Sequence, residues 1–500
     1  MGAWVVSNIH GSERASGSTA NEKGPSTTDE VNGAVPISRI WLMAAIEFCA
    51  LGALSGPLAV TLSLKVLQIV PQSDKEVGLS IITAVGALCA LIANPIFGYA
   101  SDRTRSAWGR RRPWIVFGVV GGFLSAILIG LSNSIMMLTV AWALSQICYN
   151  ATLASLSGLL AEQVPDAQRS KASGIFGAAG FLGMIPAMLA ATLFAQHVWA
   201  IIIVMPLIGL ILVPLICLMI PEARVGRTEA MSSKESVGSL LTSFFFNPLK
   251  YRNYSLLWLQ RFIMQFGYTI VGTYALYYLL VRMHMQTAEA TKLTGMATII
   301  GAVFNFGAAV LVGYLVARSG NYLHAMNLSI MFMAVSLLTK AFTDNLGAFW
   351  FATILAGFAL GMYYAIDLAS AMRVLPVGNE GRFLGIFNVA KSLPQSLAPA
   401  VAPLFLTIGG KDPIVGSQQN YMSLYIGAAI FVVASFFLAL PIRDILSRPQ
   451  SHRDARSQSD FQAGSGSMDL GVSEVSAPAM QPLVQVTQSV AHDGTGSSAR

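Results

Sequence analysis

The sequence predicts an all-α membrane protein with twelve transmembrane helices in two pseudo-symmetric six-helix bundles. Three observations predict it. First, 54% of the 500 residues are hydrophobic and 11% are charged, against roughly 25% charged in a soluble protein. The mean hydropathy is +0.61, more apolar sequence than a soluble core absorbs, because surface grows too fast with size. Second, the apolar residues fall into twelve runs of membrane-spanning length. Third, the second six runs repeat motifs of the first six.

A membrane helix needs about 20 mostly apolar residues. The first six runs are 40–64, 78–100, 114–131, 136–161, 172–195 and 198–220. The second six are 255–281, 293–316, 323–342, 347–371, 383–407 and 421–442. They divide the chain into an N-tail (1–38), a first bundle (39–220), a polar connector (221–252), a second bundle (253–443) and a C-tail (444–500). Both tails are rich in Ser and Gly and are expected to be disordered.

The net charge of +7 would raise nucleic acid as a partner in a soluble protein. Here the charges sit in short loops, where they report topology. With both termini cytoplasmic, 23 of the 31 Lys and Arg face inward and 6 face outward. That predicts a protein integral to the cell membrane, with both ends inside. No cleavable leader is read in residues 1–36. Cys49, Cys89, Cys148 and Cys217 lie inside apolar runs without paired spacing, and read as buried small hydrophobes. His197, His284 and His324 make no metal spacing. No metal or cofactor is expected.

The halves repeat at nearly one offset. Gly98-Tyr99 and Arg103 after run 2 match Gly313-Tyr314 and Arg318 after run 8. Val164-Pro165 with Gly174-Ile175-Phe176 matches Leu375-Pro376 with Gly385-Ile386-Phe387. Duplicated halves around a midplane site are the architecture of alternating-access transporters.

The loop after run 2 reads Gly98-Tyr99-Ala100-Ser101-Asp102-Arg103-Thr104-Arg105, then Gly109-Arg110-Arg111-Arg112-Pro113. It resembles the signature loop of the major facilitator superfamily. The GRRRP ending resembles the glycoside–pentoside–hexuronide and sucrose:proton symporter branch. So do Asn150-Ala151-Thr152 with Leu159-Leu160-Ala161-Glu162, and Leu384 to Ala390 with Pro394-Gln395. Run 4 lacks the Asp and Arg that sucrose transporters carry there, which points away from sucrose itself. The second-half loop has Ala317 in place of the acid. Run 5 lacks the Gly-Pro run of drug antiporters.

The resemblance implies that Asp102 and the arginines Arg103, Arg110, Arg111 and Arg112, flanked by Gly98 and Gly109, latch the halves at the cytoplasmic side. Glu162 is the expected carboxylate partner. The alternative is lipid-headgroup binding and topology alone.

Ionisable groups inside membrane helices cost about 2.5–3.5 kcal/mol each on insertion scales, so they face a cavity or a partner. Four stand out: Glu47, Arg261, Asp367 and Lys391. Glu47 and Arg261 occupy equivalent points of the two halves, which suggests a pair across the pseudo-twofold axis. Glu47 is then a candidate proton site, since burial favours a neutral carboxyl and a nearby arginine a charged one. A static pair and a lipid-edge placement are the alternatives. Asp367 with Arg373 reads as a gate. Asn388, Lys391 and Gln395 share one face of run 11, which reads as cavity lining or as interhelical hydrogen bonding. Tyr268, Tyr274, Asn150 and Asn305 are further candidates for the substrate cavity, or for interface and packing roles. Gly174, Gly177, Gly180 and Gly183 recur every three residues and predict close helix packing.

No zinc-protease, nucleotide-loop or nucleophile–base motif is present, so an enzyme is not expected. The sequence reading is a monomeric secondary transporter in the bilayer, moving a small solute, a sugar or glycoside, by proton symport. A proton-coupled exporter on the same fold is the alternative, and a membrane receptor a more distant one. Nucleic acid is not an expected partner.

Overall fold

The computed structural model describes residues 35–222, 247–374 and 380–442. The predicted N-tail and connector lie mostly outside these residues, and the C-tail lies wholly outside them. Among the described residues the chain is helical without strands. In lipid every backbone N–H and C=O must be satisfied internally, and an uninterrupted helix does that.

The helices follow the twelve runs. They are α1 (Ile37–Ile69), α2 (Lys75–Arg103), α3 (Arg112–Leu131), α4 (Ile135–Gln163), α5 (Asp166–Leu193) and α6 (Val198–Met219). The second half has α7 in two pieces (Arg252–Gly272 and Ala275–Arg282), α8 (Thr287–Ser319) and α9 (Tyr322–Phe342). It ends with α10 (Leu346–Val374), α11 (Glu380–Thr407) and α12 (Tyr421–Ala439). Most helices overrun their apolar runs because polar residues such as Lys75 and Glu76 continue the helix past the hydrocarbon. Among the described residues, eight of the twelve are long and apolar enough by composition alone to cross a membrane. The other four are α4, α5, α7 and α11.

Packing repeats with a shift of six helices. In the first half α2 and α3 pack on α4, α1 packs on α5 and α6, and α3 packs on α6. In the second half α8 and α9 pack on α10, α7 packs on α11 and α12, and α9 packs on α12. The halves meet where α2 packs on α11 and α5 on α8, two contacts that exchange under the same shift.

The duplication extends to backbone irregularities. A π-helical turn at Pro57–Thr61 interrupts α1, opened by a proline with no N–H to donate. Displaced by the 214 residues that relate Glu47 to Arg261, this turn falls where α7 breaks after Gly272. Tyr277 and Ser63, also 214 apart, touch directly, the Tyr277 hydroxyl donating to the Ser63 carbonyl at 3.1 Å. Equivalent residues meet in this way only near the symmetry axis.

The predicted glycine packing is visible where side chains are described. A Cβ on Gly183 of α5 would lie 2.3 Å from the Phe48 carbonyl oxygen of α1. One on Gly52 of α1 would lie 2.4 Å from the Gly183 carbonyl oxygen. The two backbones touch, which any side chain would prevent. Gly174 and Gly177 fall outside the described side chains.

Candidate functional site

The signature loop forms a network at one end of the first half, here named the loop end. Arg111 is its hub and is 5% exposed. Its Nε donates to Glu162 Oε1 at 3.0 Å and its Nη1 to Ser101 Oγ at 2.7 Å. It also pairs with Asp102, and Arg110 pairs with Glu162. Gly158 of α4 makes room for the guanidinium, since a Cβ there would lie 2.3 Å from its central carbon. Arg103 stacks on Tyr99 at 4.0 Å. A side chain at Gly98 would meet nothing within 4 Å, whereas the Gly98 carbonyl accepts from the Ser101 hydroxyl.

Sequence reasoning missed the anchor of this loop. Glu222, just past α6, accepts from the backbone N–H groups of Arg110 (2.8 Å), Arg111 (2.7 Å) and Arg112 (3.3 Å). A carboxylate there satisfies the free donors at the start of α3 and sits at the positive end of its dipole. Gly109 has φ +107°, and a Cβ on it would lie 2.2 Å from the Glu222 carboxylate. Gly109→Ala is expected to destabilise the protein by about 1–3 kcal/mol. Thermal unfolding of the detergent-solubilised protein measures this, and Glu222→Gln should lose less.

Asp102 and Glu162 are engaged by Arg110 and Arg111, all within the first half. Among the described residues these pairs brace α2, α3 and α4 against each other.

The four intramembrane charges converge. Glu47 on α1, Arg261 on α7, Asp367 on α10 and Lys391 on α11 lie roughly 7 to 11 residues in from the loop ends of their helices, about 10–17 Å deep. Their pairing differs from the sequence reading. Arg261 Nη2 lies 3.2 Å from Asp367 Oδ2, with both side chains buried. The Glu47–Arg261 pair is therefore replaced by an Arg261–Asp367 pair inside the second half. The guanidinium also lies 4.1 Å over the Phe387 ring. Lys391 lies within electrostatic range of Glu47, Arg261 and Asp367. Symmetry-related positions need not pair when a neighbouring helix offers a closer carboxylate.

Arg373 sits 3.8 Å over the Tyr322 ring, so the two members of the predicted gate go to different places. Asp367 belongs to the central cluster and Arg373 to the loop end.

Around the cluster lie polar groups that the sequence reading only partly identified. Gln265 Nε2 donates to the Tyr364 hydroxyl at 3.1 Å, and the Lys391 ammonium lies 5.2 Å over the Tyr364 ring. Tyr363 donates to Gln260 Oε1 at 3.1 Å. Tyr268 is half-buried near Tyr364. On α11, Asn388 and Gln395 are exposed and Lys391 is half-buried. Gln260 and Gln265 were missed because uncharged polar residues leave little signal in a hydropathy profile.

Three candidates are buried in helix packing. Asn150 is buried, donating to the Gln146 carbonyl at 2.8 Å and accepting from Asn94 at 3.2 Å. Asn305 is buried where α8 crosses α10, its carbonyl 2.0 Å from where a Cβ on Gly361 would stand. Tyr274 is fully buried at the end away from the signature loop, its hydroxyl 2.9 Å from the Pro399 carbonyl and 3.2 Å from that of Glu76. It lies past the break in α7, far from the charged cluster, and joins helices there.

The fold is shared with solved transporters. The nucleoside transporter NupG matches with a TM-score of 0.61 at 13% identity, over 82% of this chain and 99% of that one. A partially occluded inward-open conformation of the xylose transporter XylE from E. coli matches with a TM-score of 0.58 at 16% identity, over 81% and 97%. In sequence, the cis,cis-muconate transport protein of Acinetobacter baylyi is 25% identical over 334 residues, 65% of this chain and 77% of that protein. The sucrose transport protein SUC4 of Arabidopsis thaliana is 45% identical over 51 residues, 10% of each chain. The family model described as Major Facilitator Superfamily matches residues 40–399 and, in a second placement, 303–484. Twelve helices in two repeated bundles, the loop bound around Arg111 and this match agree: the chain belongs to the major facilitator superfamily and is a membrane transporter of small solutes.

Proposed function

We propose that the chain is a solute:proton symporter for a sugar or glycoside, with the loop end and both termini cytoplasmic. The observation that carries this reading is the central cluster. Its four formal charges sum to zero, and it draws Glu47 from one half and Lys391, Arg261 and Asp367 from the other. A proton on Glu47 removes its attraction to Lys391 and leaves the cluster with one net positive charge. Protonation then changes the force between the halves at the depth where solute binds, which is what coupling requires. Asn388, Gln395, Gln265 and Tyr268 supply hydrogen-bonding groups of the kind a polyhydroxyl solute uses. The match to a sucrose transporter over 51 residues supports the same class.

A second solute class has its own support. The muconate transporter matches over a far longer stretch, and Lys391 offers a carboxylate solute a cation once Glu47 is neutral.

The test is uptake into proteoliposomes under an inward proton gradient, with labelled sugars and cis,cis-muconate, for the wild type and Glu47→Gln. Symport predicts accumulation by the wild type. Glu47→Gln should lose accumulation by at least tenfold and retain solute exchange. Accumulation of muconate alone would transfer the reading to carboxylates. Gradient-driven expulsion of hydrophobic cations without sugar uptake would replace it with export.

A further inference from the structure

At the end away from the signature loop, tyrosines of the second half reach backbone and side-chain oxygens of the first. Tyr421, opening α12, donates from its hydroxyl to Glu76 Oε1 at 3.1 Å. The Tyr274 hydroxyl lies 3.2 Å from the Glu76 carbonyl, and Tyr277 donates to the Ser63 carbonyl at 3.1 Å. All three rings are fully buried, and Glu76 is 3% exposed. The carboxylate has a lysine beside it, Lys75 Nζ at 3.8 Å, which also lies 5.5 Å over the Tyr277 ring. Its second oxygen, Oε2, is buried without a hydrogen-bond partner.

We propose that Glu76 is the gate residue of this end, the acceptor through which Tyr421 holds the halves closed. The geometry favours a gate over plain packing for two reasons. The bond from Tyr421 to Glu76 joins the two halves directly, so it must break whenever this end opens. The carboxylate is also under-satisfied while closed, with one oxygen lacking a partner, and gains water at both oxygens on opening. A fully satisfied carboxylate would lock the end shut, and an apolar residue would give no directional closure. Glu76 thus sets the balance between the closed and open conformers. Ser63 and Tyr277 sit at equivalent positions near the symmetry axis, and their bond must also break when this end opens.

Hydrogen–deuterium exchange of the full-length protein in detergent or nanodiscs tests this without any solute, so the result stands apart from the identity of the cargo. Loss of one hydrogen bond to a charged group is worth about tenfold in a conformational ratio. Tyr421→Phe, which keeps the ring, and Glu76→Ala should each raise exchange about tenfold at the end of α1, the start of α2 and the end of α7. Exchange around Ser101 to Arg112 should fall in the same variants, because closing one end accompanies opening the other. The double variant should shift no further than either single one, and Glu76→Gln, which keeps an acceptor, should stay near wild type. Unchanged exchange in Tyr421→Phe would overturn the proposal. So would a rise at this end without the fall at the loop end, which marks local loosening, or shifts that add in the double variant.

Discussion

Asp367→Ala is expected to lower the stability of the folded protein by about 3–5 kcal/mol, the cost of leaving one member of a buried ion pair without its partner. Arg261 is 6% exposed and its Nε already lacks a hydrogen-bond partner. Without Asp367, its remaining support among the described residues is the Phe387 ring at 4.1 Å, worth about 2 kcal/mol when desolvated. That ring keeps the loss nearer the lower bound. Arg261→Ala should cost a similar amount by stranding the carboxylate. The double variant Arg261→Ala/Asp367→Ala should recover most of the stability, because neither charge is then left alone. Thermal unfolding in detergent reads these differences, and independent, additive losses would show that the two side chains do not form one unit. The double variant also separates two roles. If the pair only fixes helix packing, the folded double variant still accumulates solute. If it takes part in coupling, the variant folds and exchanges solute but does not accumulate it.

Much of this site was legible in the sequence, for a definite physical reason. A charge inside an apolar run is costly enough to be placed with purpose, and Glu47, Arg261, Asp367 and Lys391 do converge. Their pairing was not legible. Partner choice depends on how each helix is rotated about its axis, and a hydropathy profile carries no such angle. The duplication suggested Glu47 with Arg261, yet Asp367 on adjacent α10 is the partner of Arg261. Glu222 escaped notice for another reason. It sits 112 residues from Arg110 at the start of a polar connector, where a single carboxylate looks like any other. Tyr274, read as either a cavity or an interface residue, packs at the end away from the signature loop. The π-helical turn of α1 opens at a proline and the break in α7 has none, so no shared motif announces them. Lys65, Lys75 and Arg282 were counted as outer-loop charges. All three are buried, Lys65 donating to the Gly130 carbonyl at 3.0 Å. The positive-inside count registers which end of a helix a charge is near, and says nothing of its burial.

Arg282 carries the other large expected effect. It pairs with Asp412, and both side chains are 0% exposed. Its Nε donates to the Thr343 carbonyl at 3.1 Å, and a terminal nitrogen donates to the Ala341 carbonyl. The guanidinium thereby ties the end of α7 to the α9–α10 turn and the α11–α12 loop. Asp412 does more than neutralise it. The carboxylate also accepts from the backbone N–H of Ile414 at 3.0 Å and of Met422 at 3.2 Å, organising the loop into α12. Asp412→Ala therefore strands a buried cation and frees backbone donors together, and is expected to cost about 3–5 kcal/mol, enough to prevent accumulation of folded protein. Asp412→Asn keeps an acceptor for the backbone and should retain a measurable folded fraction. Arg282→Met should fall between them, since it leaves the carboxylate buried but still bonded to three backbone groups. Size-exclusion profiles and thermal unfolding of the three variants check this order. Equal losses in Asp412→Ala and Asp412→Asn would mean that charge alone matters and that the loop needs no acceptor. The tie lies at the same end as Tyr421 and Glu76, and Tyr421 opens the helix that Asp412 helps to start. A loosened loop would move Tyr421 away from Glu76, so Asp412→Asn should also raise exchange at the start of α2.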